Sequence, residues 1–240
     1  MRVNPQDRLI VALDVADFKT AKELVRILAP AVKLFKVGSQ LFTACGPNIL
    51  EFIKKKKAEF FLDLKFHDIP NTVHLAVQAA CRYNPAMLTV HTLGGVNMLR
   101  AAVEAVRRSS TRTKILGVTV LTSMDENQLS EVGIPAAVQE EVLTLARMAV
   151  QAGLDGVVAS PREINMLRCG IEKKFIIVTP GIRPADAPPD DQKRTMSAQD
   201  TIAQGADYLV VGRPITQAKD PFGAAQKIIS EITIALPCEK

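Results

Sequence analysis

The feature that most constrains the fold is a repeated alternation of short apolar runs with longer helical segments. The runs predict β-strands at residues 8–14, 34–38, 59–65, 87–91, 114–123, 156–160, 175–179 and 207–213. Near-continuous apolar strands alternating with helices are typical of a parallel sheet covered on both faces, and eight such units favour a closed (β/α)₈ TIM barrel. An open doubly wound sheet is the alternative. No G-x-G-x-x-G motif follows the first strand to favour its dinucleotide-binding form.

The segments between the strands carry helical periodicity and helix boundary signals. Asp17 is a suitable N-cap for the first helix, and Pro70 is a suitable first residue for the third. A polar insertion occupies residues 124–133, and a long polar loop occupies 181–193. We expect helices at residues 17–28, 40–55, 70–82, 97–108 and 135–152, a short one after residue 161, and one that closes the chain.

Composition is that of an ordinary globular protein. With 240 residues and 48% hydrophobic content, we expect a single domain over residues 1–240. There is no apolar run of about 18 residues and no signal-peptide core, so we expect a cytoplasmic protein without a membrane segment. The 4 cysteines are far apart and favour reduced thiols over a zinc site. A net charge of +5 without a basic stripe disfavours nucleic-acid binding and is equally compatible with an anionic small substrate.

Polar residues stand at the carboxyl ends of the predicted strands. In a barrel all these ends meet at one face, which is where such folds hold their active sites. We therefore expect a polar ring there, in which some members, such as His91, have only a structural role. Its members are Asp14, Lys36, Asp63, Lys65, His91, Thr122, Ser123, Ser160, Thr179, Gly212 and Arg213.

The third strand carries the densest group of charges. Because side chains alternate along a strand, Phe61, Asp63 and Lys65 share one face, and the opposite face is apolar. A generic D-x-K pair is usually a surface salt bridge, but this strand is expected to be covered on both faces. Opposite charges buried together hold each other ionised, so we expect Asp63 and Lys65 to pair, with Asp68 extending the network.

The end of the eighth strand has the composition of a phosphate site. Gly212 permits close backbone approach, Arg213 offers guanidinium donors, and Pro214 opens a helix. Alone, G-R-P is also compatible with a tight turn. The loop at 181–193 carries Arg183 and Gln192 and is expected either to close over the same phosphate as a lid or to remain a surface loop.

These residues together closely resemble the orotidine 5′-monophosphate decarboxylase family over nearly the whole chain. The D-x-K-x-x-D element followed by I-P-N-T is the most specific part of the resemblance, and no departure occurs at a position carried over. The matching motifs are A-L-D at 12–14, F-K-V-G at 35–38, D-L-K-F-H-D-I-P-N-T at 63–72, L-T-S at 121–123, T-P-G-I-R at 179–183 and V-G-R-P at 211–214.

The resemblance implies decarboxylation at C6 of a pyrimidine nucleotide without cofactor or metal, with Lys65 as proton donor. It also implies a homodimer in which Asp68 and Thr72 complete the partner's site, so that Lys36, Asp63, Lys65 and the partner's Asp68 form a row of alternating charge. By the same resemblance, the catalytic group is Lys36, Asp63, Lys65 and Asp68. The implied substrate contacts are Asp14, Lys36, Asp63, Ile69, Thr72, Thr122, Ser123, Pro180, Arg183, Gln192, Gly212 and Arg213.

Two alternatives stay open at this point. Sugar-phosphate barrels such as 3-keto-L-gulonate 6-phosphate decarboxylase and hexulose-phosphate synthase share the D-x-K-x-x-D element but use a divalent metal. Their metal-binding glutamate stands where this chain has Lys36, and an ammonium group cannot coordinate Mg²⁺. A phosphometabolite-binding barrel without turnover is the second alternative, and it would be expected to lack Lys65 or one of the carboxylates.

Overall fold

The computed structural model describes residues 4–183 and 196–236. Eight parallel strands close into one barrel in chain order, and β8 pairs with β1 through Leu9–Leu209, Ile10–Val210 and Val11–Val211. The predicted (β/α)₈ barrel is therefore confirmed. The strands are β1 (Leu9–Ala12), β2 (Leu34–Gly38), β3 (Glu59–Phe66), β4 (Met87–His91), β5 (Lys114–Val118), β6 (Gly156–Val158), β7 (Ile176–Thr179) and β8 (Tyr208–Val211).

Helices surround the barrel on its outer side. They are α1 (Phe18–Leu28), α2 (Ser39–Cys45), α3 (Asn48–Lys55), α4 (Pro70–Cys81), α5 (Gly95–Arg108), α6 (Glu126–Glu131), α7 (Val138–Ala152), α8 (Ile164–Gly170), α9 (Ala198–Ala203), α10 (Arg213–Thr216) and α11 (Pro221–Ala235). Short 3₁₀ helices span Pro5–Arg8, Thr92–Gly94 and Pro161–Glu163. As predicted, Asp17 caps α1 by accepting from Thr20 N, and Pro70 opens α4.

Each strand buries both of its faces, in two separate apolar clusters. The larger cluster lies between strands and helices, and it contains Leu9 and Val11 of β1 and Phe60 and Leu62 of β3. The smaller cluster fills the barrel interior. It contains Ile10, Ala12, Leu34, Phe61, Met87, Leu116, Val178 and Val210. This alternation confirms that the apolar strands are covered on both sides, and it places Asp63 on the interior side with Phe61.

The single helix predicted over residues 40–55 is wrong, because the structure has two helices there. The break lies at Gly46 and Pro47: Gly46 has φ 58°, and Pro47 is the N-cap of α3. A left-handed glycine ends a helix readily, and a proline following it cannot continue the hydrogen-bond ladder. The sequence G-P was a visible signal for this boundary.

The strand predicted over residues 114–123 is too long, since β5 ends at Val118. Thr119 turns its hydroxyl to the Val158 carbonyl oxygen, 3.0 Å away, and the chain then leaves the sheet along the rim of the barrel. The insertion at 124–133 contains helix α6, which begins with a capping box between Asp125 and Gln128. The D-x-x-Q spacing is the sequence signal of that helix start.

Cys45, Cys81 and Cys169 are free thiols, and Cys238 lies outside the described residues. Within residues 4–183 and 196–236, no helix combines the length and the apolar character that crossing a membrane requires.

Candidate active site

A cavity of about 410 Å³ opens at the carboxyl ends of the strands. Its floor is apolar and includes Ala12, Phe61, Val158 and Val210 from the barrel interior. Of the predicted polar ring, Asp14, Lys36, Asp63, Lys65, Thr122, Gly212 and Arg213 line it, whereas His91, Ser123 and the buried Ser160 and Thr179 do not. The sequence-predicted residues that line it are Asp14, Lys36, Asp63, Lys65, Thr122, Pro180, Arg183, Gly212 and Arg213.

Four of these residues form a continuous row of alternating charge. The Lys36 Nζ lies 3.0 Å from Asp14 Oδ1 and 3.6 Å from Asp63 Oδ2. The Lys65 Nζ lies 2.9 Å from the same Asp63 Oδ2. One carboxylate oxygen is therefore shared by two ammonium groups, and the predicted Asp63–Lys65 pair is confirmed. Gly38 leaves room for the Lys36 ammonium group, because a Cβ at position 38 would lie only 3.1 Å from Lys36 Nζ.

The backbone at Lys65 departs from regular strand geometry. Pairing between β3 and β4 runs through Leu62–Leu88 and resumes at Phe66–Val90, so residues 63–65 form a bulge. Lys65 has φ 50°, a left-handed conformation that costs a non-glycine residue about 1–2 kcal/mol. β-Bulges and non-glycine residues with left-handed backbone are common at functional sites, where they change the direction of a side chain. Here the result is that the Lys65 side chain enters the cavity mouth beside Asp63.

The charge state of Asp63 follows from opposing effects. Burial by itself would raise the pKa of the Asp63 carboxyl, but Lys36, Lys65 and hydrogen bonds from Lys65 and Thr89 hold this pKa below its usual value. The carboxyl, which is 8% exposed, is thus ionised at neutral pH. Its Oδ2 faces both ammonium groups, and these attractions hold the three side chains together.

The other end of the cavity is lined by cationic and amide groups. Arg213 and Gly212 lie just beyond β8, Arg183 follows β7, and Gln217 stands one helical turn after Arg213. Such an arrangement suits a multiply charged oxyanion, because guanidinium groups present fixed donors to phosphate oxygens. Gln192 of the predicted lid lies outside the described residues.

Four predicted site residues are exposed and do not line this cavity. Asp68 is exposed, and its Oδ1 accepts from Ile69 N at 2.6 Å, so within one chain it does not join the charge row as the sequence had suggested. Ile69 is 67% exposed, and Thr72 is also exposed on the first turn of α4. Ser123 is exposed as well and stands outside the lining, next to Thr122.

Histidine 91, at the end of β4, is close to the row without lining the cavity. Its ring stacks on His67 with centroids 5.4 Å apart. Burial, together with His67 and Lys65, lowers the pKa of His91 to about 4, so the ring is neutral at physiological pH. Its Nδ1 accepts from Leu93 N at 3.4 Å, which is a role in the local turn.

Sequence reasoning missed several residues of the site. Gln217 could have been found, since it follows Arg213 by four positions and therefore shares its helix face. Thr89 could have been placed on the interior face of β4 by its period-two relation to Met87 and His91. Val120 and Leu121 give no such signal, because they line the cavity only after the chain has left β5.

The described residues can also be searched for a group of side chains that could bind a metal ion. In the part of the chain that the structure describes, no three His, Cys, Asp or Glu side chains are grouped so that they could hold a metal ion. The position facing Asp14 and Asp63 is taken by the Lys36 ammonium group instead.

Comparison with known proteins agrees with this geometry. The model of the orotidine 5′-phosphate decarboxylase / HUMPS family matches residues 7–228. A relative from Syntrophotalea carbinolica, named orotidine 5′-phosphate decarboxylase, is 50% identical over 241 residues, covering 98% of this chain and 99% of its own. A protein of the same name from Geobacter sulfurreducens is 48% identical, covering 96% of this chain and 98% of its own.

The fold comparison leads to the same group. The crystal structure of orotidine 5′-phosphate decarboxylase from Lactobacillus acidophilus superimposes with a TM-score of 0.84 at 35% identity, over 94% of this chain and 99% of that one. With a barrel of this topology, a family match over most of its length and relatives near half identity, the chain belongs to the orotidine 5′-phosphate decarboxylase / HUMPS family.

Proposed function

We propose that this protein converts orotidine 5′-monophosphate to uridine 5′-monophosphate and carbon dioxide, with Lys65 as the proton donor. The observation that carries the proposal is the Lys36–Asp63–Lys65 charge row at the mouth of a cavity whose far end holds Arg213. The bond from C6 to the carboxylate breaks, its electron pair stays on C6, and the Lys65 ammonium group transfers a proton to that carbon. Solvent later reprotonates the amine.

The physical difficulty of this reaction explains the charge row. A carbanion at C6 lies in the plane of the ring and cannot spread into the π-system, so it must be stabilised from outside. An ammonium group held at a fixed position in a site shielded from water supplies that stabilisation without reorganisation. Asp63 Oδ2 lies 2.9 Å from the Lys65 ammonium nitrogen, and we assign Asp63 the place beside the departing carboxylate. Its repulsion of that carboxylate is a second, ground-state contribution.

The substrate's orientation follows from the two ends of the cavity. We assign the phosphate to Arg213, Gly212 and Arg183, and Gln192 joins them when the loop covers the site. Asp14 and Lys36 lie between the two ends of the site and bind the ribose hydroxyls. We assign the pyrimidine to Thr122 and Pro180, which line the cavity, and to Ser123, the exposed neighbour of Thr122. Binding the remote phosphate holds C6 against Lys65, so its binding energy supports the chemical step.

We infer that two chains form a homodimer in which Asp68, Ile69 and Thr72 complete the partner's site. Two observations support this. These three residues are exposed on the rim rather than in their own cavity. Exposed apolar side chains also follow three neighbouring strands at this rim: Ile69 after β3, Leu93 after β4 and Leu121 after β5. An apolar surface of this kind is typical of a protein interface.

The family description also covers the metal-dependent sugar-phosphate enzymes weighed above, and Lys36 disfavours that chemistry here. Its ammonium group already pairs with Asp14 and Asp63 and carries no lone pair for Mg²⁺. We therefore propose a reaction without metal or organic cofactor, in the cytoplasm, as the step that forms the pyrimidine nucleotide UMP.

The test is direct. Purified protein is added to orotidine 5′-monophosphate, and the loss of the orotate-type ultraviolet absorbance is followed with and without a metal chelator. The proposal expects rapid loss at the same rate in both samples. Complete inhibition by the chelator, or no turnover by folded protein, would contradict it. 3-Keto-L-gulonate 6-phosphate serves as the control substrate and should not react.

A further inference from the structure

We propose that Thr89 is a positioning residue that sets the geometry of the Asp63–Lys65 pair. Thr89 lies in β4, fully buried, and does not line the cavity. Its hydroxyl makes two hydrogen bonds that meet at one oxygen: it donates to Asp63 Oδ1 at 3.0 Å and accepts from Lys65 N at 2.9 Å. One side chain thus contacts both members of the pair. This inference rests on the roles assigned above to Asp63 and Lys65.

The bulge in β3 explains why a hydroxyl is required at this place. Leu62 pairs with Leu88 and Phe66 pairs with Val90, so residues 63–65 stand opposite Thr89 alone. The regular ladder cannot satisfy three backbone amides with one residue, and a buried N–H without a partner is unfavourable. The Thr89 side chain replaces the missing ladder bond at Lys65, the residue with left-handed φ.

The charge of Asp63 fixes the direction of the two hydrogen bonds. An ionised carboxylate can only accept hydrogen bonds, so the single O–H group of Thr89 must donate to Asp63. The oxygen lone pairs of Thr89 are then directed at the Lys65 N–H. Asp63 Oδ1 is held by Thr89, while Oδ2 faces the Lys36 and Lys65 ammonium groups. The hydroxyl therefore orients the carboxylate as well as the strained backbone from which Lys65 extends.

Removal of the hydroxyl should misplace Lys65 without altering the phosphate end. The variant is Thr89→Val, which keeps the shape and loses both bonds. We expect kcat to fall about 10²-fold, the loss that a displacement of about 1 Å at a reacting group produces. Binding of UMP, measured by calorimetry, should be unchanged, since Arg213 and Gly212 are untouched. Thr89→Ser, which keeps the hydroxyl, should restore most of kcat.

The matched control is Thr113→Val. Thr113 is also a buried threonine, but its hydroxyl donates to the Pro85 carbonyl oxygen at the opposite end of the barrel, 2.8 Å away. The pH profile adds a second readout. Thr89→Val removes one of the interactions that lower the pKa of Asp63, while Lys36 and Lys65 remain, so the acid limb of kcat should move to higher pH. Thr113→Val should leave that limb in place.

A third readout does not depend on turnover. Hydrogen exchange at the Lys65 amide, followed by NMR, should speed up in Thr89→Val and stay slow in Thr89→Ser and Thr113→Val. If Thr89→Val does not fold, Thr89→Ala provides the same comparison. Turnover and Lys65 exchange like those of Thr113→Val would overturn the proposal, as would equal losses in the valine and serine variants. If the wild type does not decarboxylate the substrate but the exchange result holds, the proposed function fails and the positioning role stands.

Discussion

The two ends of the barrel use the same kinds of residues for different purposes. At the amino ends of the strands, three charged side chains bond to the backbone. Asp155 accepts from Ile115 N at 2.8 Å, and Asp207 accepts from Ile177 N at 2.8 Å. Arg168 donates to the carbonyl oxygens of Gly205 and Phe175 and to Asp207. These side chains complete hydrogen bonding where strands begin.

At the carboxyl ends, the charges face one another and a cavity. Asp14, Lys36, Asp63 and Lys65 are bonded mainly among themselves, and the cavity beside them has room for a ligand. Two lysines around β3 show the contrast. Lys57 and Lys65 both have left-handed backbone, with φ 59° and 50°. Lys57 only ends the turn after α3, by donating its N–H to Lys54 O, whereas Lys65 projects into the site.

The comparison teaches that charge and strain alone do not mark a site in this fold. Both occur at both ends, and what differs is whether the partners of the charged groups are backbone atoms or other side chains around an opening. In a (β/α)₈ barrel the first arrangement supports stability and the second supports chemistry. Variants at the two ends should therefore separate stability from activity.

The largest effect is expected for Lys65→Ala. Loss of the proton donor and of the ammonium group beside the carbanion should lower kcat about 10³-fold, because both contributions act in the transition state. Binding of UMP and the melting temperature should stay close to wild type. Lys57→Ala, with the same backbone conformation at the other end of β3, is the control and should keep full turnover. Normal turnover in Lys65→Ala would remove Lys65 from the mechanism.

Arg213→Ala should weaken the phosphate end of the site. We expect kcat/KM to fall roughly 10²-fold, or about 3 kcal/mol, because a charge-assisted contact that drives orientation is lost. Steady-state kinetics measure the change. Arg112→Ala, an exposed arginine at the amino ends of the strands, should behave as wild type. Normal handling of the nucleotide by Arg213→Ala would place the phosphate elsewhere.

Mixing two inactive variants tests whether the carboxyl-end site is shared between chains. Lys65→Ala and Asp68→Ala chains are co-refolded, and exchange is confirmed by native mass spectrometry. Half of the dimers are mixed and one of their two sites has both residues intact, so activity should return to roughly a quarter of wild type. Exchange without recovery would show that Asp68 does not act in the partner's site.

The smallest effect on turnover is expected at the amino ends. Arg168→Ala should lower the free energy of unfolding by about 2 kcal/mol, because partly buried carbonyls and Asp207 lose their donor, while kcat stays unchanged. Urea unfolding gives the measurement. Arg108→Ala breaks only an exposed pair with Glu104 and should cost less than about 0.5 kcal/mol. If fully folded Arg168→Ala protein lost kcat, the assignment of stability to the amino ends and of activity to the carboxyl ends of the strands would be contradicted.

The sequence by itself determined the barrel and most of its mouth. Eight apolar runs alternating with helices predict closure, and the interior face of β3 follows from the period of two, so the pairing of Asp63 with Lys65 was predictable. Local signals decided these features. The same holds for Asp17 as a cap and Pro70 as a helix start, which depend only on neighbouring residues.

Tertiary structure alone decided the features that depend on residues distant in the chain. The bulge at 63–65 and the left-handed Lys65 exist because β3 must pair with β4 on both sides of Thr89. The sharing of Asp63 Oδ2 by Lys36 and Lys65 requires β2 and β3 to be adjacent in register, with Gly38 opposite Asp63. The secondary-structure preferences of individual residues do not encode such contacts, because the groups that make them meet only when the barrel closes.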